Sequence, residues 1–447
     1  MRCVRGASVV AAPARRVSGG RGPRCRSRLV GRWKGVRSLR SARFGWSMHT
    51  VTTRGVARCE PPGTPPPGPA PGWTTPRRRD AEFPRKSSRS MWGRRRNWLV
   101  LAVLTGLAIG CGRASEEVVL QGPTMGTYYR VRAVADSGDR EAIRALVEQR
   151  LNAVDRAMST YREDSEISRF NRLAGGESFV FSDETWTVLE LAWRVREETG
   201  GAFDPTVGPL VDAWGFGAPG RSGEPTPPLD DQLADLRRAI GAIELASEDQ
   251  RVLKLEDGAA LDLSAIAKGW AVDSVSEALL NAAYTNHLVE VGGEVRTAGR
   301  SPAGDAWRIA IERPPVRAPD PGPTAPTAAT EDATQPGLQK VLPFTDGSLA
   351  TSGDYRNYWE RDGQRYSHTI DPRTGRPVVH ALASASVIHE SCAIADAYAT
   401  ALMVLGPENG LSWADDNDIA ALLLVYRKDS LEELPSAAFR ESFGDTR

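Results

Sequence analysis

Asp396 and Thr400 stand at i and i+4 in a stretch with helical patterning, so a carboxylate and a hydroxyl would project to one side of a helix. Two hard oxygens one turn apart suit a cation such as Mg²⁺, although Thr and Asp also share helix faces for no catalytic reason. A second candidate is Lys268, in the run Leu261-Asp262-Leu263-Ser264-Ala265-Ile266-Ala267-Lys268-Gly269-Trp270. This run reads as a strand ending at Leu263 and a helix capped by Ser264. Lys268 then falls in the first turn, where the helix dipole disfavours a cation. Gly269 costs the same helix roughly 1 kcal/mol relative to Ala. An anion docking close to the backbone would account for both; a lysine that simply reaches water is the plainer alternative. His368, in His368-Thr369-Ile370-Asp371-Pro372, ends a strand before a proline turn. An imidazole there is suited to acid–base work near neutral pH.

Three further segments have the punctuation of a site. Thr351-Ser352-Gly353-Asp354-Tyr355 offers hydroxyls and backbone amides in what reads as a tight loop after a strand, a shape able to cradle phosphate. Phe203-Asp204-Pro205-Thr206-Val207-Gly208-Pro209-Leu210 reads as a fixed loop, lining a pocket or merely connecting. Met125, beside Gly126, is a polarizable side chain that can cover a flat ring or fill a core.

The elements that must position these residues alternate irregularly. Strands are expected at 118–120 and 128–134 around a glycine turn, then helices at 140–160, 183–199 and 230–240. Strands at 252–255 and 261–263 lead into a helix from Ser264 to about Tyr284. Strands follow at 288–291, 295–298 and 307–311, and they resume near 341, 348–351, 365–370 and 383–388. A helix over 392–405 stops at Gly406, and a last strand covers 419–426. Mixed and antiparallel strands with packed helices argue an α+β fold, one large catalytic domain over 118–447. The Pro-, Ala- and Thr-rich stretch 314–339 reads as a disordered surface insertion.

Composition divides the chain. Residues 1–90 carry 21 Lys and Arg against three acids, together with a Pro-rich run and three of the five cysteines. Such a segment cannot bury a core. It reads as disordered sequence upstream of the true start, because an export signal begins at Met91. That signal has the positive cluster Arg94-Arg95-Arg96 and an apolar run from Trp98 to Ile109, too short to span a bilayer. It ends in Leu107-Ala108-Ile109-Gly110-Cys111, like the lipobox of bacterial lipoproteins. Residues 91–110 are thus expected to be removed, Cys111 to be lipidated and 111–117 to serve as a tether. Two or more acyl chains suffice for stable anchoring, so the enzyme is expected at the cell membrane, facing the periplasm or the exterior. From residue 98 onward acids outnumber bases by 20, which argues against nucleic acid as a partner. Cys392 is the one cysteine after Cys111.

No serine-nucleophile elbow, P-loop, dinucleotide-binding glycine fingerprint or zinc spacing is present. Taken in order, however, the segments resemble the ApbE-type FAD:protein FMN transferases, bacterial flavin-trafficking lipoproteins. The matching landmarks are Met125-Gly126-Thr127, Tyr161 with Ser165-Glu166-Ile167-Ser168, and Phe203 to Leu210. They continue with Leu261 to Gly269, Gly292-Gly293-Glu294, Thr351 to Tyr355, His368 to Pro372, and Ala395-Asp396-Ala397 through Thr400. The resemblance implies FAD as substrate, Mg²⁺ at its pyrophosphate, transfer of FMN to a threonine hydroxyl of an acceptor protein, and release of AMP. It implies acceptors among the flavin-carrying subunits of membrane redox complexes. It implies that Met125, Tyr161, Ala202, Phe203, Asp204, Asp262, Lys268 and Ile370 line the FAD site. Asp396 and Thr400 would hold the metal by side chains and Ala265 by its carbonyl, with His368 and Lys268 at the reacting end. Trp270 and Ser264-Ala265 depart from the family pattern, which has Tyr and glycines there. The competing readings are a Mg²⁺-dependent FAD pyrophosphatase and a non-catalytic FAD-binding lipoprotein.

Overall fold

The computed structural model describes residues 116–217, 225–315, 337–355, 357–428 and 430–444. All lie within one compact unit of the chain, Ser90–Arg447. The expected leader, Cys111 and most of the expected insertion fall outside the described residues.

The chain opens with a hairpin of β1 (Glu116–Thr124) and β2 (Thr127–Ala135), whose tip is Met125-Gly126. Both tip residues have positive φ, 47° and 72°, as a two-residue hairpin loop demands. Helices α1 (Arg140–Met158) and α2 (Glu166–Asn171) follow, then β3 (Ser178–Val180), α3 (Asp183–Glu198), α4 (Gly208–Ala213) and α5 (Asp230–Ala239). After β4 (Ile243–Ala246) and β5 (Arg251–Lys254) comes α6 (Ala267–Asn281), then β6 (His287–Val291), β7 (Glu294–Ala298), β8 (Trp307–Arg313), β9 (Gly337–Phe344) and β10 (Gly347–Gly353). Short hairpins β11 (Tyr358–Arg361) with β12 (Gln364–Ser367) and β13 (Ile370–Asp371) with β14 (Arg376–Pro377) lead to β15 (Leu382–His389). The chain ends with α7 (Cys392–Asp416), β16 (Ala420–Arg427), β17 (Ser430–Pro435) and α8 (Ala437–Phe443).

The centre is an eight-stranded sheet in the order β1-β2-β6-β7-β10-β15-β16-β17, antiparallel at every pairing. Its strands bury both faces. Ala421, Leu423 and Val425 join the main core, which also takes in α1, α6 and α7, whereas Leu422 and Leu424 join a second cluster with Trp307, Ile309, Leu342, Phe344 and Phe439. This is why β16 reads as an almost unbroken apolar run. Helix α7 is buried nearly all round from Cys392 to Val404, in keeping with its alanine-rich sequence.

The α+β expectation holds, with local differences. The expected strand 261–263 is extended but joins no sheet. The Asn171 side chain acts as its neighbouring strand, donating to the Leu261 carbonyl at 2.8 Å and accepting the Leu261 N–H at 2.7 Å. Ser264 is not the helix cap: α6 begins at Ala267 with Ile266 in the capping position, and the Ser264 N–H is taken up by Asp262 Oδ1 at 2.8 Å. Thr351-Ser352-Gly353 is strand rather than loop, because it continues β10 against β15. Residues 337–339, expected within the disordered insertion, pair in β9 with β8. Gly406 does break its helix, with φ 79° and ψ 178°, but helical backbone resumes at Pro407, which is well suited to a first turn.

Candidate active site

Two helix starts meet to form the site. Asp273, nearly two turns into α6, accepts the N–H groups of Cys392 and Ala393, each at 3.0 Å, and the Ser391 hydroxyl at 2.8 Å. These backbone donors have no partner within α7 itself, so the Asp273 carboxylate caps α7 from outside and favours the positive end of its dipole. Gly269 lets the two helices come this close. A Cβ there would lie 2.3 Å from the Cys392 carbonyl oxygen and 2.7 Å from Ala393 Cα. The glycine is required by an approaching helix, which also brings a carboxylate to its N–H.

With α7 so docked, Asp396 comes to the start of α6. Its Oδ2 accepts the Gly269 N–H at 3.1 Å, and both its oxygens lie 3.2 Å from Lys268 Nζ. The same ammonium reaches Glu294 Oε1 on β7 at 3.2 Å and the Ser264 carbonyl at 3.4 Å. Asp396 and Glu294 have side chains only 2% and 4% exposed. Burial alone would lower the Lys268 pKa, but the two carboxylates outweigh it and hold the group above the ordinary lysine value. Burial pushes the Glu294 carboxyl well above the usual range against the pull of Lys268. Glu294 Oε2 is buried with no hydrogen-bond partner. In the sequence Glu294 has no role beyond its place in Gly292-Gly293-Glu294; the available signal was an acid directly after a double-glycine turn.

One turn beyond Asp396, the Thr400 hydroxyl lies 3.1 Å from the Ser352 hydroxyl of β10. Ser352, one of the hydroxyls expected to cradle phosphate from a loop, thus meets the helix that carries Asp396 from a strand. Ala265 sits half-buried in the turn before α6. The set fits a hard cation: a carboxylate, a hydroxyl and a main-chain carbonyl are all oxygen donors, and the partnerless Glu294 Oε2 adds an unsatisfied acceptor beside them. Among the described residues no group of three or more His, Cys, Asp or Glu side chains forms a metal cluster, so the cation would depend on this mixed set.

His368 follows β12. Its Nδ1 lies 2.8 Å from the Asn357 carbonyl, which accepts from it and so leaves the lone pair on Nε2. The Phe216 ring meets it edge-on, with centroids 6.3 Å apart. Burial lowers the His368 pKa, and Lys268 is near enough to lower it further. The imidazole is therefore neutral at pH 7 and able to take a proton.

The remaining expected residues divide. Tyr161 is 63% exposed, and its pKa is raised by burial of the hydroxyl and by the charges of Asp262 and Asp212, which brings it to the same mouth. The Asp262 N–H donates to the Pro205 carbonyl at 2.7 Å, tying the 203–210 loop to the start of α6. Within that loop the side chains of Ala202 and Phe203 are buried in the main core. The Asp204 carboxylate is consumed by Arg196 at 2.6 Å and by the Thr206 N–H at 2.8 Å. All three side chains thus have partners within the protein. Ile370 is likewise buried, in a cluster with Leu210, Trp214 and Leu233. Met125 packs partly on the main core at the hairpin tip. The tip lies by the β6–β7 turn: a Cβ on Gly292 would be 3.0 Å from Thr127 Cγ2 and 3.4 Å from Glu294 Oε2.

The model of the ApbE family matches residues 125–423. The FAD:protein FMN transferase of Vibrio cholerae serotype O1 is 42% identical over 348 residues, spanning 77% of this chain and 98% of the relative. That of Haemophilus influenzae is 35% identical over 352 residues, spanning 76% of this chain and 96% of the relative. The solved structure of the flavin transferase ApbE from Vibrio cholerae superposes with a TM-score of 0.64 at 38% identity, covering 74% of this chain and all of the other.

Proposed function

The chain belongs to the ApbE family, and on that premise we propose that it moves the FMN half of FAD onto a threonine hydroxyl of an acceptor protein, with Mg²⁺ and with release of AMP. Its enzyme class is FAD:protein FMN transferase. The observation that carries the chemical reading is the meeting of Lys268 with Asp396, 128 residues apart in sequence, beside the Thr400 hydroxyl and within electrostatic reach of His368.

Phosphoryl transfer needs charge neutralised on the bridging oxygens and a nucleophile held in line. Asp396, Thr400 and the Ala265 carbonyl would hold Mg²⁺, which acts as a Lewis acid on the diphosphate. Lys268 supplies further positive potential beside that set. His368 Nε2 takes the proton of the acceptor threonine. The threonine oxygen bonds to the FMN phosphorus, and the bond to the AMP phosphate breaks. Tyr161 offers an exposed ring to a planar group. The acceptors are flavin-carrying subunits of membrane redox complexes.

Incubation with FAD, Mg²⁺ and a candidate acceptor tests this reading. Mass spectrometry should find FMN on an acceptor threonine and AMP in equal amount. Free FMN formed at the same rate with or without acceptor would replace transfer by hydrolysis.

The enzyme is held at the membrane, outside the cytoplasm, through lipid on Cys111. The supporting sequence runs from Met91 to Cys111, and among the described residues no helix is long and apolar enough to cross a membrane. Cys111→Ser should release the protein from the membrane fraction; retention of that variant in the membrane would refute the anchor.

A further inference from the structure

We propose that Lys268 is a resident cation at the divalent-ion position, that metal binding competes with the Lys268–Asp396 contact, and that Glu294 is the positioning residue that retains Lys268 once a metal takes Asp396. This rests on the reading of Asp396 as a metal ligand.

The Lys268 ammonium is 3.2 Å from Asp396 Oδ1 and 3.2 Å from Oδ2, so it covers both oxygens evenly. Asp396 cannot turn away, because its Oδ2 is fixed by the Gly269 N–H and its backbone by the α6–α7 packing. A divalent ion arriving at that carboxylate meets a positive charge on the same two atoms. The lysine must give way, and it has somewhere to go. Its second carboxylate, Glu294, projects from a different element at 3.2 Å. A four-carbon stem can swing toward Glu294 without leaving its ammonium unpaired.

The consequence is linkage. A diphosphate that draws Lys268 toward itself frees Asp396 for the metal, and a metal on Asp396 frees Lys268 for the diphosphate. Each ligand then tightens the other by the same factor.

The test is Mn²⁺ binding to the flavin-free full chain, followed by the paramagnetic resonance of the free ion. Lys268→Met should bind Mn²⁺ about tenfold tighter than the natural protein while binding FAD more weakly, within the roughly 5–150-fold range of such couplings. Opposite shifts of the two affinities are not what a merely structural lysine would give. The double variant Lys268→Met/Glu294→Gln removes one charge of each sign and should keep the gain in Mn²⁺ affinity, which guards against misfolding of the single variant. Glu294→Gln alone should weaken Mn²⁺ binding, because Lys268 then has only Asp396. Adding Asp396→Ala should erase every gain. Folded Lys268 variants that bind Mn²⁺ no tighter than the natural protein overturn the proposal, as does a gain that survives Asp396→Ala. Because Mn²⁺ binding is read without FAD turnover, failure of FMN transfer would be seen separately.

Discussion

The N–H of Gly269 donates to Oδ2 of Asp396 at 3.1 Å, across 127 residues of sequence. The same glycine, by lacking a side chain, allows Cys392 and Ala393 to pack against its Cα. One residue thus docks the second helix and orients the carboxylate that this helix carries.

Gly269→Ala sets two effects against each other. Alanine gains about 1 kcal/mol in helix propensity. Its Cβ would meet backbone atoms of Cys392 at 2.3 Å, which no rotamer change relieves. Overpacking of this kind costs about 1–3 kcal/mol or more, so the clash wins. Thermal unfolding should show a lower Tm and Mn²⁺ affinity should fall; a variant as stable as the natural protein would contradict the packing argument.

Asp396→Asn keeps the shape and removes the charge. Transfer of FMN at saturating FAD should fall by about 10²–10³-fold, the range seen when a group that stabilises developing charge is deleted. Far-ultraviolet circular dichroism should be unchanged. Turnover near the natural rate would remove Asp396 from the metal site.

His368 must be neutral to accept a proton. Burial holds its pKa below the ordinary 6.5, so kcat should be flat near pH 7 and decline as pH falls through a value beneath 6.5. His368→Ala should lower kcat by about 10²–10⁴-fold and abolish that acidic limb. A limb that persists unchanged in the variant would assign it to another group.

Tyr161 is mostly exposed, so its removal costs little in folding. Tyr161→Ala should weaken FAD binding by roughly 0.5–1.5 kcal/mol, a typical aromatic contact, with Tm within about 1–2 °C. Tyr161→Phe should bind nearly as the natural protein does. Equal loss in both variants, read by flavin fluorescence titration, would shift the role from ring to hydroxyl.

Much of the site was readable along the chain because local rules report themselves locally. Lys268 and Gly269 are anomalies at a helix start, and Asp396 with Thr400 keeps helical spacing. At Gly269 a carboxylate, Asp396, does approach the backbone, and a whole helix packs there with it; a glycine shows that something comes close without showing what. Ser264 had the right type for a cap, but the turn of residues 264–266 before α6 passed that position to Ile266. Ala202, Phe203 and Asp204 occupy the expected loop, yet their side chains point into the core or into Arg196.

Sequence alone determined the long helices and the main strands, the acidic balance from residue 98 onward and the order of the chemistry-bearing segments, because periodicity, composition and spacing are properties of neighbours along the chain. Tertiary structure decided that Asp273 caps α7, that Glu294 shares Lys268 with Asp396, and that Ser352 meets Thr400. Those contacts join residues on separate elements, brought together by an antiparallel sheet buried on both faces, and no local pattern encodes which distant charge an ammonium will find.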